Sequence, residues 1–247
     1  MYLTIQGLVL RVTNYNDTDA LLTVLTQDKG ILTMKARGLR RKNSPLIAPC
    51  QLLGYSSFTL FENKGYYTIN EASVIELFHP LRRDLQKLSL ATYFAQVADI
   101  MSQEDMPNPQ LLSLLLNCLY ALCKLPLPEA QVKAVFELRI AILGGYAPDL
   151  QGCFYCGNTN PDRFNLSQGH PECSNCGDNQ DGIRLPIYQG TLDAMRYISY
   201  CDDKKLFSFT LGDDALEQLS RVTESYLATQ LERGFSTLDF YKTLLIS

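Results

Sequence analysis

The sequence predicts an α+β protein on three observations. Side chains alternate with period two over the first eighty residues. After His79-Pro80 the period lengthens to 3.6. Two Cys-x-x-Cys pairs then interrupt the helical part. The expected division is a β domain over residues 1–79 and a helical domain over 80–247, the latter carrying a cysteine knuckle at 150–180.

The first strand, Leu3 to Val12, is rich in β-branched and aliphatic residues, and the polar turn Asn14–Asp19 leads to a second strand, Ala20–Thr26. Asp28-Lys29-Gly30 is a hairpin loop in which Gly30 supplies a left-handed position. In the third strand, Ile31–Arg37, alternation sends Leu32, Met34 and Ala36 to one face and Thr33, Lys35 and Arg37 to the other. Ser44-Pro45 and Ala48-Pro49 mark an irregular connection. Leu52–Phe61 alternates again, with Phe58 and Leu60 opposite Tyr55, Ser57, Thr59 and Phe61. Asn63-Lys64-Gly65 turns the chain into a fifth strand, Tyr66–Ile75. Five short hairpin-linked strands imply a small closed barrel, because closure removes the exposed sheet edges. The OB-fold is the expected form and an SH3-like barrel the alternative.

In the helical part, Leu85, Leu88, Ala91, Phe94, Ala98 and Met101 share one face. Leu111–Leu125 is apolar nearly all round, as a central helix would be. Pro126 and Pro128 precede a helix from about Glu129 to Leu143, with Val132, Val135, Phe136, Arg139, Ile140 and Leu143 on a face and Gly144-Gly145 as its stop. Thr191–Tyr200 reads as a short helix. Asp213 is expected to cap a longer one running to about Arg233, ended by Gly234, with Leu216, Leu219, Val222, Tyr226 and Leu227 inward. Ser236–Leu245 adds a last helical turn or two.

Cys153, Cys156, Cys173 and Cys176 carry the clearest chemistry. Sixteen residues separate the two pairs, which is the spacing of a four-thiolate metal site. Gly157 and Gly177 let the chain turn back after each pair, and the polar, turn-rich segment between them cannot bury a core of its own, so an ion would hold it together. One structural Zn²⁺ is expected, because four thiolates close the shell that a catalytic zinc leaves open. Two disulfides, redox thiols and an iron–sulfur cluster are the alternatives; His170 lies nearby but is not needed as a ligand. Cys50, Cys118, Cys123 and Cys201 sit in apolar settings, as ordinary buried thiols do.

The net charge of −4 argues mildly against nucleic acid, but the charge is unevenly placed. Residues 1–80 hold eight Lys/Arg against six Asp/Glu, and the remainder fourteen against twenty. Lys29, Lys35, Arg37, Arg40, Arg41 and Lys42 fall within fourteen residues that contain no acid. Such a run is often a solvated loop; here a strand places it on one face of a barrel type that commonly binds single strands. Tyr55, Phe61, Tyr66 and Tyr67 are candidate stacking platforms. There is no Walker loop, no Gly-x-Gly-x-x-Gly, and no His-Glu-x-x-His, and the two histidines, His79 and His170, lie far apart in sequence. No catalytic constellation is expected. The start of the chain does not read as a signal peptide and its most apolar stretch is too short to span a bilayer, so a cytoplasmic protein without membrane contact is expected.

Two blocks resemble the bacterial RecO family of recombination mediators. One is Gly7–Arg11 with Asp17–Asp19, Leu25-Thr26, Lys29-Gly30 and Ala36–Arg41. The more specific is Phe136–Arg139 through Leu143-Gly144-Gly145-Tyr146-Ala147-Pro148-Asp149-Leu150, running straight into Cys153-x-x-Cys156-Gly157. The resemblance covers essentially the whole chain. It implies an N-terminal OB-fold, a helical C-terminal domain, and zinc where the cysteines are kept. It also implies binding of single- and double-stranded DNA, annealing of complementary strands, action with RecR, contact with the C-terminal tail of single-strand-binding protein, and, indirectly, loading of RecA. A nucleoid-associated bacterial protein follows from it. On that basis Lys35, Arg37, Arg40, Arg41 and Lys42 are expected to neutralise phosphates, with Arg11 and Lys29 as weaker candidates. The rivals are a zinc-dependent or Cys-x-x-Cys redox enzyme and a sequence-specific zinc regulator of transcription.

Overall fold

Five strands close a barrel at the start of the computed structural model, which describes residues 1–177 and 182–246. They are β1 (Tyr2–Asn14), β2 (Ala20–Thr26), β3 (Ile31–Ala36), β4 (Tyr55–Asn63) and β5 (Tyr66–Glu76). The order β1-β2-β3-β5-β4, closed by β4 against β1 and with β3 and β5 parallel, is the OB-fold expected from the alternation. One long strand serves two partners: residues 2–8 of β1 pair with β4 and residues 7–14 with β2. A bulge between Val9 and Arg11 provides the bend.

The barrel is filled by the inward set of each strand. Val9, Leu22, Val24, Leu32, Met34, Phe58, Leu60 and Ile69 are buried there, each contributing on the order of 2 kcal/mol of transfer free energy. Leu46 and Cys50, from the connection after β3, pack onto the same core. Gly30 has φ +61, the left-handed turn position its place in the hairpin demanded.

A 3₁₀ turn, His79–Arg83, leads to α1 (Leu85–Met101). The Asp84 carboxylate caps α1 by accepting the Lys87 N–H at 3.1 Å. The expected single face is too narrow for α1. Residues from Ser89 to Ala98 are buried on several sides, whereas Leu85 is 57% exposed. This helix meets β1, the helix α2 (Pro109–Lys124) and the helix α7 (Ser236–Ile246), so it needs apolar surface in several directions. Tyr93 packs edge-on against Phe235, with ring centroids 5.4 Å apart, and the Gln86 amide donates to the Leu244 carbonyl at 3.0 Å. Met1–Lys124 and the segment from Phe235 therefore form one compact unit. The grouping differs from a division at residues 79/80, because α1, α2 and α7 pack with the barrel's unit.

The second unit is Leu125–Gly234. Its centre is α3 (Glu129–Leu143), against which α5 (Gln189–Tyr200) and α6 (Asp213–Gln230) pack. Three short strands, β6 (Arg163–Asn165), β7 (His170–Glu172) and β8 (Arg184–Pro186), make a sheet in the order β7-β6-β8, and Ser174–Gly177 forms one helical turn, α4. Residues 178–180 of the expected knuckle lie outside the described residues. Two helix boundaries depart from expectation. The N-cap of α6 is Gly212, and Asp213 and Asp214 fall in the first turn, where their charge favours the positive end of the helix dipole. The same helix ends at Gln230, and Glu232, not Gly234, takes the left-handed conformation beyond it (φ +51). No helix among the described residues is long and apolar enough to cross a membrane.

Candidate metal centre and cationic ridge

The cysteine pairs converge. All four Sγ atoms lie within 4.8 Å of one another, and Cys156 Sγ is 3.9 Å from Cys173 Sγ. Sulfurs at the corners of a zinc tetrahedron sit about 3.8 Å apart, so the cluster needs only a small contraction around an ion. Local backbone structure builds the site. The Gly157 N–H donates to the Cys153 carbonyl and the Cys153 N–H to the Asn158 carbonyl, both at 2.8 Å, while Gly157 takes φ +71 to turn the chain back. Gly152 lets this loop fold tightly: a Cβ there would lie 2.9 Å from the Asn158 carbonyl oxygen.

The sulfurs are supplied with donors. The Cys173 N–H approaches Cys153 Sγ at 3.3 Å, and the Asn158 side-chain amide approaches Cys173 Sγ at 3.2 Å. Burial disfavours the Cys153 thiolate, but the N–H groups of Cys156, Cys173 and Tyr155 outweigh it and bring this thiol down to about 6. The Asn158 amide favours the Cys173 thiolate, yet neighbouring sulfurs prevail and push that thiol up. Cys156 above all pushes Cys176 up to about 12. The Cys153 thiolate forms readily, whereas Cys173 and Cys176 hold their protons until a cation offsets the charge of the neighbouring sulfurs. Metal binding at such a cluster would release those protons. His170 stands outside the cluster: its ring stacks on Phe154 at 4.4 Å.

The basic residues are not equivalent. Asp19 in the turn before β2 organises the loop that follows β3. Its carboxylate accepts the Gly38 N–H at 2.9 Å and the Thr18 hydroxyl at 3.1 Å, and it pairs with Lys35 at 3.2 Å. Lys35 also lies 4.6 Å from the centroid of the Tyr15 ring. Arg40 donates to the Asn16 carbonyl at 2.6 Å through its guanidinium, and to the Thr18 carbonyl at 3.0 Å through its backbone N–H. Lys35 and Arg40 therefore hold the loop, whereas Arg37, Arg41 and Lys42 are exposed and make no ion pair among the described residues. Arg11 pairs with Asp99 of α1 at 3.4 Å and donates to Thr23, which ties it elsewhere. Lys29 is half-buried in the β2–β3 hairpin.

In sequence Asp19 stands at the end of a polar turn and in one of the family-like blocks, and neither placement announces the network its carboxylate makes. The Gly38 N–H, working against some desolvation and helped by Lys35, holds its carboxyl well below the usual carboxylate range. The sign follows. A depressed acid contributes order that is complete above about pH 4 and is lost only as pH falls towards the lower folded value. Asp19→Asn is expected to lower the amide hydrogen-exchange protection of Gly38 and Arg40 several-fold at every pH between 5 and 8, while the parent's protection relative to the intrinsic rate stays constant over that window because Asp19 remains ionised. Unchanged exchange would show that the turn holds the loop without this charge.

Comparison with known proteins agrees with this architecture. The family model described as "Recombination protein O N terminal" matches residues 1–78, and that described as "Recombination protein O C terminal" matches residues 82–239. The chain is 37% identical over 245 residues to the DNA repair protein RecO of Acetivibrio thermocellus, covering 98% of this chain and 97% of that one. It is 29% identical over 247 residues to its namesake in Alkaliphilus metalliredigens, covering 99% and 100% of the two chains. The corresponding protein of Caldicellulosiruptor saccharolyticus is also 29% identical, over 243 residues and 98% of each. With both of its parts matched and its full length aligned, the chain belongs to the RecO family.

Proposed function

We propose that this protein acts in recombinational DNA repair as a non-enzymatic mediator in the cytoplasm, holding DNA by its phosphates. The observation that carries the reading is the cationic loop after β3. Arg37, Arg41 and Lys42 are exposed, and Lys35 and Arg40 anchor them to the Asn16–Asp19 turn. Cations gathered on one anchored loop beside the barrel neutralise phosphates without reading bases. Screening two strands on one such surface favours their annealing with no covalent step. On this reading the protein works with RecR, contacts the tail of single-strand-binding protein, and thereby helps RecA onto covered strands. Cys153, Cys156, Cys173 and Cys176 would hold one structural Zn²⁺, which would offset half of the charge of four thiolates.

The test is a salt titration of binding to an unstructured single strand. Affinity is expected to fall steeply with salt, with a log–log slope of about −0.7 for each phosphate neutralised. Replacing Arg37, Arg41 and Lys42 together by alanine is expected to flatten that slope by about 2 and to weaken binding to unrelated sequences alike. A slope unchanged in the triple variant, or strong preference for one sequence, would overturn the reading.

A further inference from the structure

The barrel's cationic ridge continues into an aromatic one. Strand register joins Lys35 of β3 to Thr68 of β5, Thr68 to Phe61 of β4, and Phe61 to Tyr2 of β1. Directly paired residues point to the same side of a sheet, so these four form a single outward row. At a strand spacing of about 4.8 Å, the row runs about 14 Å along the barrel wall. Arg37, in the turn just past the end of β3, lines an open cavity of about 690 Å³ together with Tyr2, Phe61 and Thr68.

The two rings at the far end are exposed although they are large and apolar: Tyr2 is 63% and Phe61 42% accessible. They pack at a tilt of 56° with centroids 5.4 Å apart, so neither covers the other's face. Their placement is fixed. The Met1 ammonium donates to the Glu62 carbonyl at 3.0 Å, and the Glu62 N–H returns a bond to the Met1 carbonyl at 2.8 Å, which clamps Tyr2 beside Phe61. Glu71 is the acid of the cavity wall.

We propose that Tyr2 and Phe61 form a stacking platform for unpaired bases of a nucleic-acid strand whose backbone is held at Arg37. The inference rests on the phosphate-binding role proposed above and adds a source of strand discrimination to it. Phosphate contacts alone hold single strands and duplexes alike, whereas only an unpaired base has a free face to lay on a ring. The platform is indifferent to base identity, since every base has such a face.

The experiment compares three ligands on the full chain: an oligothymidylate, an abasic strand of equal length, and a duplex. Phe61→Ala is expected to weaken oligothymidylate binding about ten-fold, with the salt slope, duplex binding and abasic-strand binding unchanged. Phe61→Tyr should restore the loss, and an unaltered melting curve separates stacking from barrel damage. Since the chain has no tryptophan, Phe61→Trp supplies a single indole, excited selectively over the tyrosines, whose emission should be quenched by oligothymidylate and not by the abasic strand. Parent binding that is steep in salt but equal for abasic and base-bearing strands would overturn the platform and leave the phosphate role standing. Absence of any binding by the parent would overturn both.

Discussion

Exchanging Cys153 for serine is expected to strip the metal and unfold the short-stranded part of the second unit. Structural zinc contributes on the order of 10 kcal/mol or more of apparent folding free energy in small sites, because the unfolded chain offers no preformed shell. The segment from Gly152 to Pro186 has little to replace it. Its strands are three residues each, and much of its surface is polar. Of the four candidate ligands Cys153 is the most completely enclosed, at 3% exposure, and a serine hydroxyl there is close in shape but loses the thiolate that N–H donors have prepared. We expect bound metal to disappear and the melting temperature to drop by on the order of 10 °C or more. Cys176→Ser should act in the same direction. Cys50→Ser and Cys201→Ser, which touch other parts of the molecule, should leave metal content at the parental level. Full metal occupancy and unaltered melting in both knuckle variants would refute the assignment.

The second large effect is expected at Lys133. This ammonium is buried in α3. It meets both Glu137 oxygens at 3.0 and 3.1 Å, Glu224 at 2.8 Å and the Ser220 carbonyl at 3.1 Å, while the Thr223 hydroxyl donates to Glu137 at 2.9 Å. Burial raises the Glu137 carboxyl, Lys133 draws it back, and Glu224 adds to the rise. Lys133→Ala removes the compensating charge and leaves carboxylates in a dry interior, a change that typically costs about 3–5 kcal/mol. The pH dependence gives the mechanism away. Without Lys133, the folded state holds a proton on Glu137 that the unfolded state has already released, so stability falls as pH rises. The deficit against the parent should be full near pH 7 and shrink as the pH approaches 4.5. Lys133→Ala with Glu137→Leu should recover much of the loss. A deficit that is the same at pH 5 and pH 8 would point to packing instead of charge.

The barrel and the cysteine cluster were legible because each has a period or spacing with one good physical solution. Alternation of Leu32, Met34 and Ala36 against Thr33, Lys35 and Arg37 leaves a strand little choice of face, and two Cys-x-x-Cys pairs close best on one ion. The buried ion network was not legible. Lys133 and Glu137 stand four apart in a helix, which in sequence looks like an ordinary surface pair; only packing against α6 encloses them. The strands β6 to β8 are too short to carry a period. The basic run named the ridge but could not rank its members, since that depends on where Asn16 and Asp19 fold back. Arg11 illustrates the point: its strand was evident, but its partner Asp99 comes from a helix some ninety residues later.

The packing of α7 against α1 has a consequence for biosynthesis. The second unit is an insertion, with its whole span made between the two pieces of the first. On a ribosome adding roughly 5–20 residues per second, residues 125–234 are complete before Phe235 and α7 exist. The inserted unit can therefore fold while α1 still shows bare the apolar side that Phe235 will cover. For those seconds the nascent chain carries a sticky half-finished neighbour beside a finished one, and that is the interval in which a holding chaperone would matter most.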